Sequence, residues 1–393
     1  MAPLTILAGA NASGKSTIVQ TLALLHQTTI EHEWSHALLL NGTSIALGTL
    51  DDVIDQEPTD PEFARRESFS ICVGTNNGEA LWTAGGLDQR DALSAPLMSI
   101  KYFPLNSAPP LSQPLRLSSD PIDAANLPVF RLFPRHWEDA FRGEIESIQE
   151  SLRRLIYISS ERLGPRETYE HAPDFIENLV GARGQFTASY LYRYGGDQSN
   201  AGLRVHDQGE TIRDQTNAWM NYFFPGANVQ VTPIEGVNLV KLSIRTRAAG
   251  NYHRPQNVGF GLTHLLPIIV ACIGSRPTDT ILIENPETHL HPAAQSQIGT
   301  FIAATAASGV QVILETHSDH VLNGIRKAVA STKLSPERLA IYYIDARPSR
   351  SDEALSDTDR IHRIPIDEQG RISNWPRGFF DQMENDLDEI FGD

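Results

Sequence analysis

Gly9-Ala10-Asn11-Ala12-Ser13-Gly14-Lys15-Ser16-Thr17 fits the pattern G-x-x-x-x-G-K-[ST] at every fixed position. It follows an apolar run, Leu4-Thr5-Ile6-Leu7-Ala8, and precedes a helical run from Thr17 to Leu25, the strand–loop–helix context that a phosphate-binding loop needs. The glycines let the backbone wrap close to a phosphate chain, and the helix turns its unpaired N–H groups and positive dipole end toward the anion. Lys15 is expected to reach the β and γ phosphates and the Ser16 hydroxyl to ligate Mg²⁺. Gly9, Asn11, Ala12, Ser13, Gly14 and Thr17 complete the expected cradle.

The second half of such a site lies far downstream. Thr280-Ile281-Leu282-Ile283-Glu284 is a short apolar strand ending in a carboxylate, the Walker B arrangement, in which the acid holds Mg²⁺ directly or through water. Glu284 is assigned that role. Val310-Gln311-Val312-Ile313-Leu314 is another buried strand and ends in Glu315-Thr316-His317-Ser318. A histidine at the carboxyl end of a parallel strand sits on the rim where open α/β sheets bind ligands, so His317 is placed to sense a γ-phosphate.

Between these halves, Ala37 to Leu50 carries two apolar runs around Asn41-Gly42, a hairpin signal. Residues 67 to 103 read as antiparallel strands broken at Asn76-Asn77-Gly78 and Gly85-Gly86, and the proline-rich residues 104 to 135 as an irregular connection or inserted lobe. A helix is predicted over His136 to Leu152, then a buried strand, Leu155 to Ser159. That strand ends in Glu161-Arg162-Leu163-Gly164-Pro165-Arg166, whose arginines face solvent, salt-bridge partners, a nucleotide or a second subunit. A helix over Asp207 to Phe224 and strands at Val229 to Val231 and Leu239 to Ile244 follow, then an apolar helix opening at Val258 and running to about Gly274. Phe379 to Phe391 reads as an acidic amphipathic helix, expected to dock on its own domain.

There are 32 Lys plus Arg against 48 Asp plus Glu, a net charge of −16, which disfavours a broad non-specific grip on nucleic acid. Cys72 and Cys272 lie far apart in apolar surroundings and read as reduced core residues, which with the missing basic n-region points to the cytoplasm. His289 and His291 alternate in an extended turn and so point to opposite sides, an arrangement that does not favour zinc. Asp345 and Asp352 fit a strand end and a solvated loop better than a nuclease cluster.

Together the loop at Gly9 to Thr17, Gly259-Phe260-Gly261, Glu284-Asn-Pro-Glu-Thr-His-Leu-His-Pro292 and Glu315-Thr-His-Ser318 resemble the ABC-type clade of AAA-family ATPases. The likeness is greatest to single-chain ATPases with a C-terminal domain of unknown function, related to the ATPase parts of OLD-family nucleases and of the Septu and PARIS anti-phage systems. Residues 364 to 382 resemble that C-terminal domain. The resemblance implies an α/β P-loop NTPase head with a mixed sheet, an antiparallel β lobe and an inserted helical region. The head is expected over residues 1 to 346, with the lobe and insertion within about 40 to 255, and a family-specific segment over 347 to 393 packed on it. ATP and Mg²⁺ are the implied cofactors. The implied partners are a second copy, with each ATP held between one subunit's phosphate loop and the other's Gly259 and Gly261, assisted by Thr263, and an effector such as a nuclease. His317 is then the switch histidine.

Three departures from that pattern stand out. Glu284 replaces the more common Asp. Asn285 occupies the position of the water-activating Glu of transporter-type ATPases and cannot accept a proton, so Glu287 takes that role or turnover is slow. The chain starts close to the phosphate loop, without the hairpin that packs on adenine, so base recognition is expected elsewhere. The leading expectation is an ATP-driven dimerisation switch controlling an effector in prokaryotic anti-phage defence. Its alternatives are a repair-type DNA-clamp ATPase and a nucleotide-binding scaffold with little hydrolysis.

Overall fold

The computed structural model describes residues 1–54, 68–75, 78–86, 91–104, 111–114, 128–172, 180–345, 360–373, 375–376 and 378–392. Asn76-Asn77, much of the proline-rich connection and Asp352 lie outside these residues. In chain order the first strands are β1 (Leu4–Gly9), β2 (Ala37–Leu39), β3 (Ser68–Thr75), β4 (Gly78–Gly85), β5 (Ser94–Pro104), β6 (Leu111–Pro114), β7 (Val129–Phe130) and β8 (Phe133–Pro134). They are followed by β9 (Leu155–Ile158), β10 (Thr168–Glu170), β11 (Asn228–Pro233), β12 (Leu239–Arg245), β13 (Thr280–Glu284), β14 (Gln311–Glu315), β15 (Leu339–Ile344) and β16 (Ile361–Ile364). The helices are α1 (Lys15–Glu31), α2 (Leu50–Val53), α3 (Glu138–Arg153), α4 (Thr187–Tyr194), α5 (Ile212–Phe223), α6 (Phe260–Gly274), α7 (Pro292–Ala307), α8 (Asp319–Ala330) and α9 (Gln382–Phe391). The chain divides into two units, residues 1–19 with 156–393, and residues 20–155.

The first unit is built on a sheet of order β16-β15-β1-β14-β13-β9. β1 pairs in parallel with β14 and β15, and β13 with β14, while β16 runs antiparallel to β15. Parallel strands covered on both faces read as unbroken apolar runs. Accordingly Leu4, Ile6, Ile281, Ile283, Val312 and Leu314 are fully buried. α6 is apolar around its whole circumference and buried from Thr263 to Ile273. α7 and α8 cross closely because each contributes a glycine: a Cβ on Gly299 would lie 2.1 Å from the Val321 carbonyl oxygen, and one on Gly324 would lie 2.0 Å from that of Ser296. A small antiparallel sheet, β10-β12-β11, completes the unit.

The second unit is the expected antiparallel lobe, of order β2-β5-β4-β3 with β6 on β5. Trp82, Tyr102 and Phe133 are its largest fully buried side chains, and Trp82 Nε1 donates to the Leu132 carbonyl at 2.8 Å. The Asn41-Gly42 turn forms, with Asn41 bridged to Ala46, but the ladder partner of β2 is β5 and not the segment after the turn.

Three expectations change. α5 starts at Ile212, not near Asp207, because Asp207 has a positive φ of 63° and Thr211 caps the helix by accepting the Asp214 N–H. Cys72 is exposed, since its position on β3 alternates to the open face, whereas Cys272 is buried. In the C-terminal segment Ile364 and Phe379 join the core, yet α9 leaves Met383, Ile390 and Phe391 67%, 71% and 75% exposed, so among the described residues its apolar face is not docked. Among the described residues no helix is long and apolar enough to cross a membrane.

Candidate functional site

Parallel register sets the site. β14 stands between β1 and β13, with Leu7 opposite Glu315 and Glu315 opposite Glu284. Two carboxylates therefore emerge side by side at the carboxyl edge of the sheet, next to the loop that follows β1. Gly9 is required at that exit: its φ is 146° and a Cβ would lie 2.2 Å from the Ile344 carbonyl oxygen. Ala12 and Gly14 also have positive φ, of 58° and 99°. Asn11, Ala12, Gly14, Ser16 and Thr17 are exposed, while Ser13 and Lys15 are buried.

Lys15 Nζ donates to the Ala10 carbonyl of its own loop. Burial lowers its pKa and the neighbouring Glu315 charge opposes that shift. Ser16 Oγ donates to Glu315 Oε1 at 2.8 Å. Among the described residues the other oxygen of Glu315 is buried without a hydrogen-bond partner, and the residue is 3% exposed. Its pKa is raised, first by burial, with the Ser16 hydrogen bond acting against the shift. An orphaned, desolvated carboxylate oxygen beside a Ser hydroxyl is a donor set suited to a hard divalent cation, so the residues present fit Mg²⁺.

Glu284 faces elsewhere. Its two oxygens accept from Tyr157 Oη at 2.8 Å and from the Ser160 N–H at 3.0 Å. Burial and the Glu284 charge push the Tyr157 phenol well above its ordinary range, so it remains a donor. Arg162 turns inward from its loop: Nη1 donates to the Ser159 and Glu284 carbonyls at 3.0 and 2.8 Å, and Nη2 to the Asn285 carbonyl at 2.6 Å. Burial lowers its pKa to about 10. These bonds brace the turn after β13, where Asn285 has a positive φ of 43° and donates its N–H to the Glu315 carbonyl at 2.9 Å.

Glu287 is clamped to the end of β14. Its oxygens accept from Thr316 Oγ1 at 2.8 Å and from the His317 N–H at 2.9 Å. His317 reaches the surface, and partial desolvation, followed by the Lys15 charge, lowers its pKa, with Glu287 opposing. A cavity of about 220 Å³ opens beside it, lined by Gly9, Thr316, His317, Tyr343 and the Gly378–Asp381 stretch. From the C-terminal segment, Arg360 donates to the Ser13 carbonyl of the phosphate loop at 3.2 Å.

Gly259, Gly261 and Thr263 gather at the start of α6, against the turn that carries His289. A Cβ on Gly261 would lie 2.9 Å from the His289 carbonyl oxygen, whereas one on Gly259 would meet nothing within 4 Å. Thr263 is 4% exposed and its hydroxyl donates to the Phe260 carbonyl of its own helix at 2.9 Å. Phe260 is 54% exposed and lies 5.9 and 5.5 Å from the rings of His264 and His289.

Residues 130–323 match the family described as "AAA domain, putative AbiEii toxin, Type IV TA system". The fold is a mixed α/β P-loop NTPase fold. Residues 334–390 of this P-loop head match a second family, "Protein of unknown function (DUF3696)". No curated protein matches the chain. Among solved structures, an Smc head bound to the C-winged helix domain of ScpA is 12% identical, with 87% of this chain and 86% of that one covered and a TM-score of 0.44. The SMC head domain of Thermotoga maritima is 11% identical, covering 93% and 90%, with a TM-score of 0.36. A Pyrococcus furiosus Smc head with an extended coiled coil is 11% identical, covering 98% and 93%, with a TM-score of 0.42.

The P-loop head thus brings Lys15, Ser16, Glu284, Glu287 and His317 to one sheet edge. It adds four residues that sequence reasoning left without a role: Glu315, Arg162, Tyr157 and Arg360. For Glu315 a signal was present, since an acid ends the second buried strand just as Glu284 ends the first. Nothing local marked Arg162 or Arg360 as inward-facing.

Proposed function

We propose that this chain binds and hydrolyses ATP with Mg²⁺ and that ATP pairs two copies of it, as a switch on a partner effector. The contact between Ser16 and Glu315 carries the reading, because it puts a hydroxyl and a desolvated carboxylate beside Lys15 at the mouth of the phosphate loop. Mg²⁺ would be held by Ser16, with Glu315 next to it and Glu284 as the neighbouring carboxylate. Bound there, it would neutralise charge on the phosphates. Lys15 would leave the Ala10 carbonyl for the phosphate chain.

Glu287 is the base we assign for water attack. Both its oxygens are held, so its orientation is set before nucleotide arrives, and each retains a lone-pair direction for a water proton. The Glu287 bond to the His317 N–H would couple the base to the residue we assign to sensing the γ-phosphate. Gly259, with open space where a side chain would stand, offers its backbone at a helix N-terminus to a second copy's nucleotide. A role in prokaryotic defence is supported by the toxin–antitoxin description of the matched family.

Steady-state phosphate release tests the enzymatic part. Wild type should hydrolyse ATP in a Mg²⁺-dependent manner, and Lys15→Ala should abolish turnover. Wild-type turnover in the Lys15→Ala chain would rule the site out.

A further inference from the structure

A second cavity, of about 350 Å³, lies between α5 and the strands β11 and β12; its polar lining is Gln208, Asn217, Asn221, Tyr222, Asn228 and Arg245. That volume is in the lower part of the range of small-molecule sites, roughly 300–1,000 Å³. No described residue lining it is an acid. The Val229 N–H donates to Asn217 Oδ1 at 2.6 Å, and the Gly226 N–H to Asn221 Oδ1 at 2.8 Å. A backbone N–H needs an oxygen acceptor, so chemistry fixes both carboxamides with their NH₂ groups left over for the cavity they line. Asn228 Oδ1 is likewise engaged, by Tyr252 Oη at 2.6 Å.

Arg245 supplies the charge. Among the described residues its Nε is buried without a hydrogen-bond partner, and its guanidinium meets the Tyr252 ring at 5.5 Å but no carboxylate. A partly desolvated cation with no counter-charge is costly to keep. Beside it stand amide donors whose acceptor halves are consumed, and Tyr222, whose ring is at the rim and 48% exposed. Such a cavity offers amide donors and positive charge, with no carboxylate among its described lining residues.

We propose that this cavity binds a phosphate-bearing small molecule, with the phosphate taking donors from Asn217, Asn221 and Arg245 and an attached ring stacking on Tyr222. The proposal is independent of ATP turnover at the phosphate loop.

The test is titration calorimetry on the full chain carrying Lys15→Ala, which removes the phosphate loop's lysine, with inorganic phosphate and AMP as separate probes. Asn221→Asp is then added; it keeps the acceptor for Gly226 and puts a negative oxygen where the NH₂ stood. Arg245→Gln is made separately, and thermal melts establish that each variant is folded. At least one probe should bind with a stoichiometry of one, and its Kd should weaken by about tenfold or more in the folded variants. Equal binding of both probes identifies the phosphate alone as the recognised group, and tighter AMP binding adds the ring. No binding of either probe up to about 10 mM, or parental affinity retained in the folded variants, overturns the proposal. Should Asn221→Asp not fold, Arg245→Gln decides by the same criterion.

Discussion

Ser16 Oγ donates to Glu315 Oε1 at 2.8 Å, while Glu284, the register partner of Glu315 on the adjoining strand, gives both its oxygens to Tyr157 and Ser160. The acid nearest the expected Mg²⁺ ligand is therefore the one at the end of β14. Glu315→Gln should weaken ATP binding in the presence of Mg²⁺ at least tenfold, about 1.4 kcal/mol, and leave binding in EDTA unchanged. Fluorescent-nucleotide titrations with and without Mg²⁺ measure this. A Mg²⁺ dependence lost in Glu284→Gln but intact in Glu315→Gln would assign the ion to Glu284 instead.

Glu287→Gln retains an oxygen for the His317 N–H and can hydrogen-bond Thr316, so the clamp between the two loops should survive. Turnover should fall by roughly 10²–10⁴-fold, the usual worth of a positioned base, with ATP affinity preserved. Wild-type turnover in this variant would remove Glu287 from the chemistry.

The two glycines at the start of α6 should behave oppositely. Gly261→Ala drives a Cβ to within 2.9 Å of the His289 carbonyl oxygen and should cost about 1–3 kcal/mol in a urea melt. Gly259→Ala enters open space and should change stability by less than about 0.5 kcal/mol while weakening ATP-driven pairing. Equal destabilisation by both would contradict this division.

His264 gives stability a pH dependence. Burial, aided by the Arg162 and His289 charges, holds its pKa at about 4, against 6.5 for an unperturbed ring. Between those values the unfolded chain binds the extra proton and the folded chain does not, so this contribution is complete above about pH 6.5 and is lost as pH falls toward 4. Each unit of that window is worth about 1.4 kcal/mol. Urea midpoints at pH 7 and pH 5 should differ less in His264→Gln than in wild type, and an identical difference would show that another group titrates.

The strand–loop–helix at the N-terminus and the strands β13 and β14 were legible because their signals are local: apolar runs of strand length and glycines at fixed spacing. The acid on Ser16 was not, because the Ser16–Glu315 contact joins residues 299 positions apart and depends on β14 lying between β1 and β13. Arg162 was illegible for a related reason. Its sequence, Glu-Arg-Leu-Gly-Pro-Arg, suits a solvated turn, and burial of the guanidinium is made tolerable by one local carbonyl acceptor, Ser159, two distant ones, Glu284 and Asn285, and the nearby Glu287 and Glu284 charges. α9 shows the opposite case, in which an amphipathic pattern suggested docking that the exposure of Met383, Ile390 and Phe391 does not support.

The most direct measurement is the mass of Glu287→Gln by light scattering, without nucleotide and with saturating ATP and Mg²⁺. If the phosphate loop of one copy and Gly259 of another share each nucleotide, ATP should double the mass, and Lys15→Ala should block the doubling. A mass that stays unchanged while ATP is bound would contradict the switch.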